Sequence, residues 1–430
     1  MYQTVRHLLR SGTQRDRIWW LRLDHPLFMS VRLDVLVRAV IHQTNAGPTR
    51  PVFLCVDELA YGRDWDLWLK TFYDERWPIR LVGTSSSTAA LRDRRLESGV
   101  GRWEEQYLSP YLLSEYLDLH GIAPPIAVKG SMGETLAQAL NNSPSLDGIA
   151  AHRRAFLLTG GFPELLLAIG QRDAGEADRL LSSQRTLRTD AIERAIYKDI
   201  PQAFRIDDPL MLERLLYTLA AQVTGILSPT SICQSLDGIS QPTFDRYLTY
   251  LERAFLVFTL PNYSATEEAR QRRGRKVYFV DSAIRNAALQ RGTAPLSNQQ
   301  EMGLLIENMA AGHLHALGQQ AQVRVYHWRD GNDEVDLVYD DPREPLVFEI
   351  AGSPSHRRRG LHTFIDRYPR FKDSGFLVAP DAIPCPPSRT LDGIGTIPLD
   401  LFLLVVAAQA ETTLRHRLDS ESATARSTSA

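Results

Sequence analysis

Two things are scarce in these 430 residues, and one is missing. Cysteine occurs three times, at Cys55, Cys233 and Cys385. That spacing supports neither a disulfide framework nor a zinc motif, so buried thiols in a reducing cytoplasm are expected. Long apolar runs are scarce as well. The longest, residues 399–410, falls short of the ~20 residues a membrane span needs, and no signal-peptide pattern opens the chain. The run predicts a terminal amphipathic helix packed on the body, and no membrane partner is expected. Charge of one sign is not in excess: the net charge is −2, so no global field draws the chain to nucleic acid or lipid. Missing altogether is G-x-x-x-x-G-K-[ST], the glycine-rich loop whose amides cradle nucleotide phosphates.

What is present reads as a soluble globular protein, 43% hydrophobic and 23% charged, long enough for two to three domains. The most informative stretch is 51–58, an apolar strand that ends abruptly in Asp57 and Glu58. Adjacent carboxylates at a strand end suit a nucleotide hydrolase, where one acid holds Mg²⁺ and its neighbour polarises the attacking water. Strand-like runs at 17–24, 51–57 and 79–84 are each followed by a helical pattern, near 28–43, 64–74 and 87–97. This alternation predicts a parallel sheet covered on both faces, with ligands at the carboxyl ends of its strands. Asp24, Asp57, Glu58 and the run Gly83-Thr84-Ser85-Ser86-Ser87 all fall there.

Residues 1–10 predict a helix with Tyr2, Val5, Leu8 and Leu9 on one face, stopped by Gly12. From 104 to 205 the pattern is helical, broken at Pro124-Pro125 and at Gly160-Gly161-Phe162-Pro163. Residues 209–260 predict a winged helix. Ser228 and Ser240 are candidate N-caps, and Phe244, Tyr247, Leu248 and Leu251 form one apolar stripe. Its wing would be strands at 255–260 and 276–280, joined by a basic loop that holds Arg270, Arg272, Arg273, Arg275 and Lys276. The last third predicts a helix at 301–317, strands at 322–328, 334–339 and 346–351, a helix at 360–368 and a strand at 375–378. The tail beyond about 411 is rich in Ser, Thr and Ala and is expected to be disordered.

An ordered set of short stretches resembles a family of bacterial and archaeal AAA-type ATPases, whose C-terminal domain is of unknown function. The matching stretches in the first half are W-W-L-R-L-D-H-P (19–26), V-F-L-C-V-D-E-L (52–59), L-V-G-T-S-S-S (81–87) and G-R (101–102). L-S-P-Y-L-L-S-E-Y (108–116) and G-G-F-P-E (160–164) follow, then K-V-Y-F-V-D (276–281), L-I-E-N (305–308), E-V-D-L-V (334–338) and V-F-E-I (347–350). The resemblance implies an α/β parallel-sheet ATPase core lacking Walker A over 1–104, a helical lid over 105–207 and a winged helix over 208–282. A PD-(D/E)XK nuclease-like α/β domain over 283–410 and a tail over 411–430 complete it.

In that family pattern Asp57 is the Walker B magnesium ligand and Glu58 the catalytic base. Ser85 or Ser86 senses the γ-phosphate, and Arg102 is an arginine finger or sensor. The implied cofactors are ATP and Mg²⁺, and the implied partners are a nucleotide and either DNA or another protein. Residues 2–10 match the helix that follows the P-loop, so the P-loop and its strand are expected immediately before Met1. The nuclease-like core would place Glu307, Asp336 and Glu349 as metal-binding acids, but Ala351 stands where active members have a lysine. That site is therefore expected to be vestigial. The expected activity is ATP binding and hydrolysis, impaired without a phosphate cradle. A non-catalytic DNA- or protein-binding module retaining the ATPase shell is the alternative, and a nuclease the third reading.

Overall fold

A computed structural model describes residues 1–427 except 86–101, 123, 143, 164, 167–175, 205, 207, 265 and 267–273. The helix expected at 87–97, Ser86 and the arginines at 270, 272 and 273 lie outside the described residues. The chain divides into two compact units, Met1–Gln106 with Arg194–Pro209, and Tyr107–Glu193 with Leu210–Ala430.

In the smaller unit, strands β1 (Ile18–Arg22), β2 (Val52–Asp57) and β3 (Ile79–Gly83) form a parallel sheet in the order β1-β2-β3. Trp20 lies opposite Cys55, and Cys55 opposite Val82. β2 is central and nearly continuously apolar, with Val52, Leu54, Cys55 and Val56 buried, as a strand covered on both faces requires. Helices α1 (Tyr2–Arg10), α2 (Leu33–Thr44) and α3 (Trp65–Asp74) accompany it. Val37 and Val40 of α2 and Trp65 and Phe72 of α3 share a core with Leu54 and Val56. Two elements are less well covered. α1 forms where expected but buries none of its residues, although Tyr2 packs its ring 4.6 Å from that of Trp20. β3 has only β2 as a neighbour among the described residues, and its Val82 is exposed.

The larger unit opens with helices α4 (Leu113–Leu119), α5 (Met132–Asn142), α6 (Ile149–Thr159) and α7 (Glu176–Leu187). Helices α8 (Pro209–Ala221), α9 (Pro229–Ser235) and α10 (Gln241–Arg253) follow, then the antiparallel pair β4 (Val257–Pro261) and β5 (Arg275–Phe279). Ser228 and Ser240 cap α9 and α10 by accepting from the Ser231 and Thr243 amides, and the stripe Phe244, Tyr247, Leu248, Leu251 is buried. After α11 (Ser282–Ala288) and α12 (Gln299–Ala321), strands β6 (Val325–Asp330), β7 (Asp333–Tyr339) and β8 (Leu346–Ile350) pair antiparallel in sequence. Helix α13 (Arg359–Arg367) then leads to β9 (Gly375–Ala379), parallel to β8. A fifth strand, β10 (Ile394–Pro398), adds parallel to β9 and closes the order β10-β9-β8-β7-β6. It was not expected, because Gly395 and Pro398 weaken its strand pattern; as an edge strand it tolerates both.

Alternation along the strands divides this sheet's contacts. Leu337, Phe348 and Val378 pack with α12 and the last helix, α14 (Leu399–Ser427), while Val338 and Val347 pack with Leu361 and Phe364 of α13. α14 departs from expectation twice. Its residues Leu399 and Leu401 through Val406 are all fully buried, so its first turns are a core helix buried all round, with only Asp400 charged among them, rather than an amphipathic one. It also continues past 411 to Ser427 where a disordered tail was expected. Residues 411–427 contain no glycine or proline to stop it, and Arg415 pairs with Glu411 one turn earlier.

His313 joins α12 to α4. Its Nε2 accepts the Leu113 amide at 2.9 Å, so its proton sits on Nδ1, which lies 2.9 Å from the Met309 carbonyl. Burial holds the ring at about 4, below its ordinary 6.5. The folded state therefore takes up this proton less readily than the unfolded chain. The stability contributed by neutral His313 is complete above about pH 6.5 and lost as pH falls towards 4. The advantage of the natural chain over His313→Gln in urea unfolding should shrink by about 2 kcal/mol between about pH 7.5 and about pH 5. An advantage independent of pH would contradict this.

Candidate functional site

The three parallel strands of the smaller unit bring their carboxyl ends to one place. Beyond β2 the chain turns at Glu58, whose backbone is left-handed (φ 55), and the Leu59 amide then donates to the Thr84 carbonyl at 2.8 Å. The Thr84 amide donates to Val56 at 2.9 Å, and the Leu23 amide to the Asp57 carbonyl at 3.0 Å. These cross-strand bonds fix Asp57, Glu58, Thr84 and Ser85 as neighbours, as the strand-end reading expects. The Thr84 hydroxyl donates to Asp57 Oδ1 at 2.7 Å and orients that carboxylate. Ser85 follows directly and is half-buried.

Glu58 is mostly buried and lies 3.2 Å from the guanidinium of Arg194, which also approaches Asp199 at 3.7 Å. Burial, and secondarily Glu58, raise the Asp199 carboxyl, although Arg194 opposes the rise. Arg194 was not anticipated. It lies 136 residues from Glu58 in the chain, and no local pattern distinguishes it from other helical arginines. Asp24 is a half-buried loop acid paired with Arg22 at 2.9 Å, and this bond holds its carboxyl below the usual range. Arg102 is engaged elsewhere, through two bonds to Asp74 at the end of α3 (2.9 and 3.3 Å).

The second set of expected site residues lies in the larger unit. Glu307 on α12 and Asp336 on β7 do converge, but on a side chain that was not foreseen there. Lys276 of β5 places its ammonium 3.0 Å from Glu307, 2.9 Å from Asp336 and 2.5 Å from Glu334. It donates to Glu307 and Asp336 and forms an ion pair with Glu334. Burial opposes the charge on Lys276, but Asp336, Glu307 and Glu334 outweigh it, and the ammonium stays protonated well above its ordinary range. The Tyr278 hydroxyl donates to Glu307 at 3.0 Å, and the Ile350 amide to Asp336 at 2.9 Å. Burial first, and then Asp336, push Glu307 up to about 7 and Glu349 up to about 8. Glu349 turns instead to His356, 3.2 Å away. Ala351 packs with Leu377, Ala379 and Ala382 in a small apolar cluster. Among the described residues no three His, Cys, Asp or Glu side chains are arranged to hold a metal ion.

Residues 1–117 match the family described as an AAA domain. Residues 151–294 and 302–393 match two domains of unknown function, DUF8612 and DUF4143. The N-terminal part of the chain is thus similar to an AAA domain, and much of the remainder to domains of unknown function. An uncharacterized protein of Methanocaldococcus jannaschii is 24% identical over 314 residues, covering 72% of this chain and 62% of the relative. An uncharacterized protein of Haemophilus influenzae is 24% identical over 349 residues, covering 80% and 77%. The chain thus spans under two thirds of the archaeal relative's length and about three quarters of the bacterial one's. Among solved structures, a Walker-type ATPase of Pyrococcus abyssi overlaps 62% of this chain and 72% of its own, at 16% identity and a TM-score of 0.34. Among the described residues no helix is long and apolar enough to cross a membrane.

Proposed function

We propose that the smaller unit is the magnesium and water-activating half of an ATP site. The observation that carries this reading is the Asp57–Thr84 bond at the end of the central strand. A carboxylate aimed by a neighbouring strand's hydroxyl is pre-positioned for a hydrated cation. Asp57 would hold Mg²⁺, directly or through water, and that ion would supply charge neutralisation between the β- and γ-phosphates. Glu58 is the base that polarises the attacking water, and Ser85 the polar contact to the γ-phosphate. Arg194 restrains Glu58, so general-base action requires that pair to open. Arg102 acts as a finger or sensor only if it leaves Asp74.

The second reading is a binding module that keeps the ATPase shell. The three helices α8–α10 followed by the β4–β5 pair support a winged helix, whose partner is DNA or another protein. Its presumed recognition helix α10 offers few donors, Arg246 and Arg253 among them, so a protein partner fits as well as a duplex.

Both readings meet in one experiment. Fluorescent ATP analogue binding is measured with Mg²⁺ and with chelator, and phosphate release is followed alongside. Weak, magnesium-dependent binding that Asp57→Asn reduces further is expected, with turnover near background. Binding indifferent to Asp57→Asn removes the site from consideration. Turnover that Glu58→Gln abolishes refutes the loss of activity and dismisses the module reading. In any longer form that carries a phosphate loop, Glu58→Gln should slow hydrolysis about 10²-fold while sparing ATP binding.

A further inference from the structure

A nuclease-like core would place a divalent ion among Glu307, Asp336 and Glu349. The residues present do not fit that ion. Its position is crossed by Lys276, a side chain from outside the acid-bearing elements, fully buried and within 3.0 Å of three carboxylates. A divalent ion needs several oxygens drawn to about 2.0–2.6 Å. Here Asp336 Oδ1 and Glu307 Oε1 are already committed to the ammonium, and Glu307 accepts Tyr278 as well. Asp336 Oδ2 accepts the Ile350 amide, and Glu349 faces His356. A lysine two residues beyond Glu349 is excluded too, because Ala351 is enclosed by Leu377, Ala379 and Ala382.

We propose that the ammonium of Lys276 is the resident cation of this acid cluster, standing in the place of a metal and fastening β5 to α12 and β7. The cluster then binds no divalent ion and cleaves no phosphodiester. The lysine is a structural counter-ion rather than a catalytic group, since its ammonium is hydrogen-bonded to Glu307 and Asp336 and ion-paired with Glu334. The carboxylates keep the arrangement of a cation site, so the inference makes a second, less obvious claim: removing the lysine creates a metal site.

The test is Mn²⁺ titration of the whole chain, read by electron paramagnetic resonance, beside incubation with supercoiled DNA in Mn²⁺. The natural chain should show no Mn²⁺ binding that depends on Asp336, and the DNA should remain intact. Lys276→Met leaves carboxylates facing one another, so it is made together with Glu334→Gln. The double variant should gain at least tenfold tighter Mn²⁺ binding, lost again on adding Asp336→Asn, and its thermal midpoint should rise with Mn²⁺. A folded double variant without Mn²⁺ affinity overturns the proposal. If the double variant fails to fold, the natural chain decides alone. Mn²⁺ binding abolished by Asp336→Asn, or DNA cleavage abolished by Lys276→Met, shows that metal and lysine coexist and overturns it. Absence of both sustains it.

Discussion

Gly161→Ala is expected to destabilise the larger unit by roughly 3–5 kcal/mol, close to the whole stability of many domains. A methyl group at this position would lie 2.0 Å from the Tyr111 carbonyl oxygen and 2.7 Å from the Tyr111 amide nitrogen, both backbone atoms that cannot rotate away. The glycine is held on both sides. Its carbonyl accepts the Tyr111 amide at 2.6 Å, and its amide donates to Asp281 Oδ2 at 2.7 Å. Asp281 also caps α11 through the Ala283 amide at 2.7 Å, and burial raises its carboxyl to about 6. Relieving the clash would pull the Gly161 amide away from a buried carboxylate, so overpacking and a lost charged hydrogen bond add. The neighbouring Gly160, at φ +72, gives the turn no other residue type to fall back on. Urea unfolding of the variant measures the loss. A midpoint within error of the natural chain would show that the Gly-Gly segment is looser than described.

Asp400→Ala should lose about 3–5 kcal/mol for a different reason. Arg153 on α6 and Asp400 at the start of α14 are both buried, with Nε 2.7 Å from Oδ1. The contact is an ion pair rather than an aligned hydrogen bond, since neither atom meets hydrogen-bond geometry. Burial works against both partners, lowering the arginine's pKa and raising the aspartate's, and each is charged because of the other. Removing the carboxylate strands a guanidinium in the interior, next to a helix start that favours negative charge. The double variant Arg153→Met, Asp400→Leu should recover most of the loss, because an apolar pair of similar volume avoids both desolvation penalties. Equal losses in the single and double variants would mean that shape, not charge, holds α6 to α14.

Much of the scaffold was legible because it is written in local periodicity. The runs ending at Asp57 and near Thr84 are parallel strands, the caps at Ser228 and Ser240 are in place, and the order of elements from 299 to 379 follows the pattern. The carboxylates Asp57 and Glu58 stand where an apolar strand stops, a signal carried by adjacent residues. What was not legible depends on distant pairs. Arg194 is one arginine among many until folding sets it against Glu58. Lys276 reads as the end of a basic loop, and its burial is decided by three acids at 307, 334 and 336. The first turns of α14 read as the covered face of a surface helix, because an apolar run does not reveal how many layers will enclose it. β10 was missed where glycine and proline erase the alternation that an edge strand does not need.

The smaller unit is built from two separated segments, with 107–193 lying between them in the chain. On the ribosome this becomes a matter of timing. Glu58 leaves the tunnel 136 residues ahead of Arg194, roughly 7 to 27 s earlier at the usual ~5–20 residues per second. During that interval the nascent sheet carries Asp57 and Glu58 without the arginine that restrains them. Synthesis of the intervening helices therefore sets a clock on completion of the site, and slower translation through that stretch prolongs its unlatched state.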